Sequence, residues 1–383
     1  MTEYNKERRL LLAAGGTGGH IWPALSFGAW IKEHHPECEV GYICGSRPLE
    51  LEIYRAAGVE PTVLPMEGSP LSGGIVRSGR RIASLFSAYR AASDAIARFR
   101  PDAALLFGGY LSFPVIMACK RGGIYCAMHE QNARAGKVTR LAAKLGLDIY
   151  SGWKECLPLL PHKHLRTGVP VRDFVPLPQK EAWRKLPLAA GASVCLPPKE
   201  ILDARAERVQ GAALAEDMPA GPKVVVFSGS LGSQSIKEKI CEIAATAEFR
   251  GWNFIIPAVA EKTERCGGNV WLLPKIWDAS LLYAAADMLV LRGGGSTLTE
   301  AGVLGIPALI IPWKGATDNH QYHNALSFVS ENAGLIWTGD EGTDILVSSL
   351  LRLRTMGGKG RGRGLYGQGN IICENLWSAV WSR

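Results

Sequence analysis

The segment Gly15-Gly16-Thr17-Gly18-Gly19-His20 follows an apolar run, Leu10 to Ala14, and precedes an amphipathic stretch. This is the order of a strand, a glycine turn and a helix start. At such a junction the missing Cβ atoms let backbone approach a ligand closely. The N–H groups at the positive helix end favour phosphate or developing negative charge. His20 then stands where the chain meets its ligand. An imidazole there serves either as a base for a hydroxyl or as a group that holds the loop or a phosphate. Three more glycine-rich turns end apolar runs: Gly108-Gly109-Tyr110, Ser228-Gly229-Ser230-Leu231-Gly232 and Arg292-Gly293-Gly294-Gly295-Ser296. Any one alone fits a tight connection, but four at strand ends point to a phosphate-bearing ligand. None has the GxGxxG spacing and ribose-binding acid of a dinucleotide site, and the Gly-Lys-Ser/Thr of a P-loop is missing.

Polar clusters accompany these turns. His129-Glu130-Gln131-Asn132 end an apolar run, where four consecutive polar side chains are costly to place unless they meet a ligand or one another. A sugar suits them, and His129 is a second candidate base. Thr297 and Glu300 open a helix after the glycine turn; they either bind hydroxyls or form a capping box, with Thr297 or Ser296 as the cap. Asp318 to Asn324 supply groups that match hydroxyls and amides. Arg172, after a Pro-rich turn, holds a diphosphate oxygen or makes a hinge salt bridge. No Asp-x-Asp stands beside these loops. A bound diphosphate would therefore be held by Arg172, loop amides and helix ends, and no metal and no cofactor are expected.

These residues need a scaffold, and the chain supplies a repeated one. Leu10 to Ala14, Glu39 to Cys44, Ala103 to Phe107, Ile124 to Met128 and Asp148 to Ser151 read as strands with helical patterns between most of them. This predicts a parallel, doubly wound α/β sheet. After Gly168-Val169-Pro170-Val171-Arg172 the pattern weakens into a Pro- and Ala-rich stretch up to Pro222. It restarts at Lys223 to Phe227 and continues through Phe254 to Pro257, Val270 to Leu273, Met288 to Leu291, Ala308 to Ile311 and Gly334 to Trp337. The division expected is 1–172, a linker and insertion at 173–222, and a second domain at 223–383. Two similar α/β domains would face a central cleft. The length of 383 residues and 47% hydrophobic content suit two buried cores. The 9 Cys lack CxxC spacing and read as reduced thiols, mostly small core residues. No signal peptide or membrane-spanning run is expected.

The net charge of +8 concentrates locally. Between Ile75 and Arg100 stand Arg77, Arg80, Arg81, Arg90, Arg98 and Arg100 against the single acid Asp94, with apolar residues at helical spacing between them. Such a segment lies on an anionic membrane surface, or it is a helix with a buried apolar side and a solvated basic side. Nucleic acid is a weaker reading, since no recognition motif or aromatic platform goes with the charge.

The ordered set GGTGGHIWPAL, GGYLSFP, HEQNARAGKVTRLAAKLG, TGVPVR, SGSLGSQ, RGGGSTLTEAGVLGIPALIIPW and DNHQYHNA resembles the MurG family of N-acetylglucosaminyltransferases, within glycosyltransferase family 28. The likeness spans roughly residues 10 to 335. It implies a GT-B fold of two Rossmann-like, doubly wound parallel-sheet domains facing a cleft. It also implies an inverting, metal-independent transfer of N-acetylglucosamine from UDP to the 4-hydroxyl of a muramyl residue on a polyprenyl-diphosphate lipid, at the cytoplasmic face of the inner membrane. The resemblance places uracil on the Ile276 backbone and ribose on Glu300. It places the diphosphate on Ser230, Arg172 and the turn through Gly295, Ser296 and Thr297, and the sugar on Gln321, His320 and Asn132. Thr17, Gly18 and Gly19 join these donor contacts. Gly16, His20, Tyr110 and His129 fall on the acceptor side, with His20 as catalytic base or positioning group. The same fold also serves transferases with other acceptors and sugar-nucleotide epimerases. Relative to the family, SGSLG replaces GGSQG, TGVPVR replaces TGNPVR, and Pro257-Ala258-Val259-Ala260 replaces His-Gln-Ser/Thr-Gly. The Gly- and Arg-rich end from Gly357 does not clearly supply a helix that returns to the first domain.

Overall fold

The structure, a computed structural model, describes residues 8–68, 78–172, 174, 177–186, 218–228, 234–276, 279–356 and 368–382. The chain divides into two compact units, Met1–Asp173 with Gly367–Arg383, and Phe174–Tyr366.

The first unit holds strands β1 (Arg8–Ala13), β2 (Cys38–Cys44), β3 (Thr62–Val63), β4 (Ala103–Leu106), β5 (Tyr125–Glu130), β6 (Asp148–Ser151) and β7 (Leu165–Arg166). They form one parallel sheet in the order β3-β2-β1-β4-β5-β6-β7. The connections carry α1 (Gly18–His34), α2 (Pro48–Ala56), α3 (Ser78–Phe99), α4 (Ser112–Gly122) and α5 (Lys137–Lys144). A parallel strand covered on both faces reads as an unbroken apolar run, and Leu10, Leu11 and Leu12 of β1 are all buried. Leu11 and Ala13 join the cluster with Ala88, Ala92, Ala95 and Ile96 of α3 and Val115 and Ile116 of α4.

The second unit repeats the plan. After α6 (Gln179–Lys185) come β8 (Lys223–Phe227), β9 (Asn253–Ile256), β10 (Glu264–Cys266), β11 (Val270–Leu272), β12 (Met288–Leu291), β13 (Ala308–Ile310) and β14 (Gly334–Ile336). The helices are α7 (Gln234–Ala244), α8 (Ser280–Ala285), α9 (Gly295–Val303), α10 (His320–Glu331) and α11 (Thr343–Met356). The sheet order is β10-β11-β9-β8-β12-β13-β14, parallel except for the β10–β11 edge pair.

In each unit the strand order reverses at one place, between β1 and β4 and between β8 and β12. Open α/β sheets bind ligands beyond the carboxyl ends of strands at this switch point. Three of the glycine turns follow these strands: Gly15 to Gly19 after β1, Gly108-Gly109 after β4 and Gly293 to Gly295 after β12; Ser228 follows β8, and residues 229–233 lie outside the described residues.

The last helix, α12 (Gln368–Trp381), corrects the division expected from sequence, since it packs on the first unit rather than the second. Cys373, Leu376, Trp377 and Val380, at helical spacing, form its buried side. The Trp377 ring stacks 4.0 Å from His35, and Tyr150 donates to the Ala379 carbonyl at 2.8 Å. The Arg8 guanidinium lies 4.9 Å above Trp381.

Candidate active site

In the first unit the two glycine turns at the switch point interlock. Gly109 has φ +87°, and a Cβ there would fall inside contact distance of the Gly15 carbonyl oxygen. Only glycine satisfies both constraints. The Gly15–Gly16 turn is also held from below by a carboxylate. Glu50, on α2, is fully buried and accepts the Gly16 N–H at 2.9 Å, the Gly45 N–H at 2.7 Å and the Tyr110 hydroxyl at 2.6 Å. A buried carboxylate that collects three donors satisfies the charge that burial would otherwise penalise. The Gly16 amide is thus held by Glu50, a buried support of the turn that the sequence did not reveal.

The same contacts correct the expectation for Tyr110. Its hydroxyl points inward to Glu50 and to the Met66 carbonyl, 2.9 Å away, instead of toward an acceptor. Burial, reinforced by the Glu50 hydrogen bond, pushes the phenol far above its ordinary range. Its ring carries the Arg47 guanidinium at 4.7 Å.

Thr17 caps α1 in extended conformation (φ −142°, ψ 161°), with no hydrogen bond from its own side chain to the helix end. Thr17 and Gly19 are exposed. His20 sits in the first turn, half-buried, with its ring against Gly108, where a Cβ would come within 3.2 Å of Cε1 and Nδ1. Its Nδ1 lies 2.7 Å from Oε1 of Gln131. Among the described residues, Nε2 of His20 has no hydrogen-bond partner.

The polar run at the end of β5 resolves mostly into contacts among its own members. His129 is completely buried, stacked on Phe107, with Nε2 2.8 Å from the Gly168 carbonyl. Burial lowers its pKa from 6.5 to about 4. A neutral imidazole closed off from solvent cannot exchange a proton with substrate, which corrects the reading of His129 as an alternative base. Glu130 accepts the Asn132 and Gly136 N–H groups, the Asn132 amide and the Thr139 hydroxyl, and so ties the loop to α5. Asn132 is half-buried, oriented by this carboxylate. Arg172 lies 4.8 Å over the ring of Trp22, on α1, and Trp22 in turn covers Gly18. The guanidinium therefore stands beside the first glycine turn, and the indole stem that carries it was another residue missed from sequence.

In the second unit Gly293 closes against α10, because a Cβ would collide with the Gln321 carbonyl. Asn324 donates to the Gly293 carbonyl at 2.8 Å, and Gln321 Oε1 accepts the Trp313 N–H at 2.9 Å. Nδ1 of His320 lies 2.9 Å from the Thr317 carbonyl. The turn through Gly294 and the α10 start with Gln321 are thus neighbours. Helix α9 begins at Gly295, so Ser296 and Thr297 lie inside its first turn, not at its cap. Glu300 is buried, and its Oε2 accepts the Tyr283 hydroxyl at 2.6 Å. This replaces the capping-box reading with a carboxylate aligned by a phenol. Tyr283 packs 5.1 Å from Phe227 at the end of β8, and the Arg292 N–H reaches the Phe227 carbonyl at 3.3 Å. Ile276, half-buried, follows β11. Ser230 lies outside the described residues.

Comparison with known proteins agrees with this double switch-point plan. The model of the glycosyltransferase family 28 N-terminal domain matches residues 10–151, and that of the family's C-terminal domain matches residues 223–359. A Nitratidesulfovibrio vulgaris (strain DP4) protein named UDP-N-acetylglucosamine--N-acetylmuramyl-(pentapeptide) pyrophosphoryl-undecaprenol N-acetylglucosamine transferase is 30% identical over 344 residues, covering 86% of this chain and 84% of that protein. The chain belongs to glycosyltransferase family 28. A family member of the same name from Desulforudis audaxviator (strain MP104C) is 29% identical over 353 residues, with coverage of 86% and 84%. Among solved structures, Acinetobacter baumannii MurG superposes with a TM-score of 0.66 at 20% identity, covering 97% of this chain and 99% of its own. A UDP-N-acetylglucosamine 2-epimerase superposes with a TM-score of 0.56 at 14% identity, covering 99% and 98%. Both are likenesses of fold: this family 28 chain has the GT-B architecture of two parallel-sheet α/β domains.

Proposed function

We propose that the protein transfers N-acetylglucosamine, with inversion, from UDP-N-acetylglucosamine to the 4-hydroxyl of the muramyl residue of a polyprenyl-diphosphate-linked acceptor, lipid I, giving lipid II for peptidoglycan. The observation that carries this reading is His20. It is a half-buried imidazole at a switch point, its Nδ1 held by Gln131 and its Nε2 without a partner among the described residues. The family and the names of its relatives supply the donor and acceptor.

In the proposed reaction the acceptor O4–H gives its proton to Nε2 of His20. The O4–C1 bond forms on the face opposite UDP, the bond from C1 to the diphosphate oxygen breaks, and UDP leaves with the electron pair. A positioned base contributes typically 10²–10⁴-fold. Arg172, carried on Trp22, and the helix ends at Gly18 and Gly295 would offset charge on the departing diphosphate. In the second unit Glu300, aligned by Tyr283, would take the ribose hydroxyls. Ile276 would read uracil, Gln321 and His320 the sugar, and Ser230, Ser296 and Thr297 the diphosphate. By the family resemblance, Thr17, Gly19 and Asn132 would add to the donor contacts, and Gly16 would fall on the acceptor side.

The acceptor's lipid would bring the enzyme to the cytoplasmic face of an anionic membrane. On α3, Ala88, Ala92, Ala95 and Ile96 are buried while Phe86, Arg90 and Arg98 are exposed, which supports a basic, partly apolar outer side. Of the proposed docking segment, residues 75–77 lie outside the described residues. No helix among the described residues is long and apolar enough to cross a membrane.

The test is UDP release by purified protein given UDP-N-acetylglucosamine and a short-chain lipid I analogue in chelator, with His20→Ala as control. Release that needs acceptor and falls at least about 100-fold in the variant is the expected result. Donor binding without release would overturn the acceptor assignment, and flotation with anionic but not neutral liposomes tests the docking segment.

A further inference from the structure

Four groups in the first unit form a hydrogen-bonded chain whose direction is forced from its ends. The Gly168 carbonyl can only accept, so the atom of His129 that lies 2.8 Å from it, Nε2, must carry a proton. The His129 carbonyl can also only accept, and it lies 2.8 Å from one end of the Gln131 amide, which must therefore be the NH₂ group. This settles an orientation that amide geometry alone leaves open. The same NH₂ stands 3.0 Å from Nδ1 of His129, which accepts because Nε2 holds the ring's one proton. The carbonyl oxygen of the Gln131 side chain is then the atom facing His20 at 2.7 Å, and it can only accept. Nδ1 of His20 must donate.

We propose that Gln131 is a positioning residue that fixes the proton of neutral His20 on Nδ1 and so leaves the Nε2 lone pair to receive the acceptor proton. His129 is the buried prop of the device. Its side chain touches no substrate and acts by holding the Gln131 amide in one orientation. The relay works because His129 stays neutral: burial keeps its pKa near 4, so Nδ1 remains an acceptor at physiological pH. Gln131 itself is 2% exposed, which keeps water from competing for either end of its amide. Gly108 completes the constraint, since the His20 ring rests where a side chain would otherwise stand. Two residues of the polar run at the end of β5, whose cost demanded an explanation, thus act on a histidine 111 positions from Gln131.

The inference rests on the reading of His20 as the base, and its test separates the two. Protein labelled with ¹⁵N-histidine is examined by NMR without substrate, and the His20 signals among the 8 histidines are identified by their loss in His20→Ala. The expected result in the wild type is a protonated Nδ1 and an unprotonated Nε2 in the neutral form. In Gln131→Met, which keeps the volume and removes both polar ends, the Nε2-protonated tautomer appears, kcat falls about 10²-fold and both KM values stay within about twofold. A wild-type His20 protonated on Nε2 would overturn the proposal without any variant. Unchanged kcat in Gln131→Met would overturn it as well. A locked Nδ1–H tautomer in a protein with no transferase activity would instead refute the reaction and leave the relay standing.

Discussion

Tyr110 separates two accounts of the first glycine turn, and Tyr110→Phe tests them. The substitution removes one oxygen atom and leaves the ring in place. If the phenol faced an acceptor sugar, as the family resemblance implies, the variant would bind acceptor poorly and fold normally. The structure gives the opposite expectation, because the hydroxyl is buried and donates to the Glu50 carboxylate at 2.6 Å. A hydrogen bond to a charged group contributes about 1.5–3 kcal/mol to stability. Glu50 keeps the Gly16 and Gly45 N–H groups in the variant, so the loss should fall near the middle of that range, about 2 kcal/mol. For a unit of this size that corresponds to a melting decrease of roughly 4–8 °C.

Scanning calorimetry of the full chain reads the first part of the prediction, and steady-state UDP release reads the second. The acceptor KM should stay within about twofold. Glu50→Gln provides the companion measurement, since its amide must turn an NH₂ toward a donor and orphan a buried N–H. The double variant should therefore be little less stable than Glu50→Gln alone, a coupling of about 1–2 kcal/mol. An unchanged melting temperature together with a tenfold higher acceptor KM would refute the reasoning.

Gly109→Ala meets both a positive φ and the Gly15 carbonyl; it should destabilise by more than about 2 kcal/mol, and a normal urea midpoint would contradict the interlocked turns. Tyr283→Phe removes the donor to Glu300 and should raise the donor KM roughly fivefold at unchanged kcat, equivalent to about 1 kcal/mol, as read in initial rates at saturating acceptor. His129 makes stability depend on acid. Its folded pKa of about 4 lies below the ordinary 6.5, so the unfolded chain takes the proton first; the stabilisation is complete above about pH 6.5 and is lost as pH falls toward 4. That loss is about 2 kcal/mol between pH 7 and pH 4.5, and urea titrations should show the wild type losing that much more than His129→Asn.

The fold was legible wherever burial on both faces wrote an apolar run. Strands β1, β4, β5, β8 and β12 carry such runs, and they are the ones that bear the site. The edges were not legible, for physical reasons: β3 and β7 have two residues each, too few for any period, and the antiparallel β10 is mostly exposed. Helix α12 escaped because the Gly- and Arg-rich stretch before it hides where its apolar side belongs.

The site divides along the same line between local and distant causes. His20 and the glycine turns announce themselves because backbone geometry at a strand end restricts which residues can stand there. Glu50 has no such signature, since an acid in an amphipathic helix reads as solvated until the fold delivers three donors to it. The run His129 to Asn132 was the instructive case. Its cost in a buried strand end demanded either a ligand or mutual satisfaction, and sequence could not choose between them. The structure gives Glu130 to the loop and links His129 and Gln131 to the proposed base. A polar cluster satisfied internally still bears on the chemistry when its last acceptor faces the proposed base. In this chain the residues most resistant to functional reading are therefore the ones that, under the proposed relay, decide which nitrogen of His20 can act.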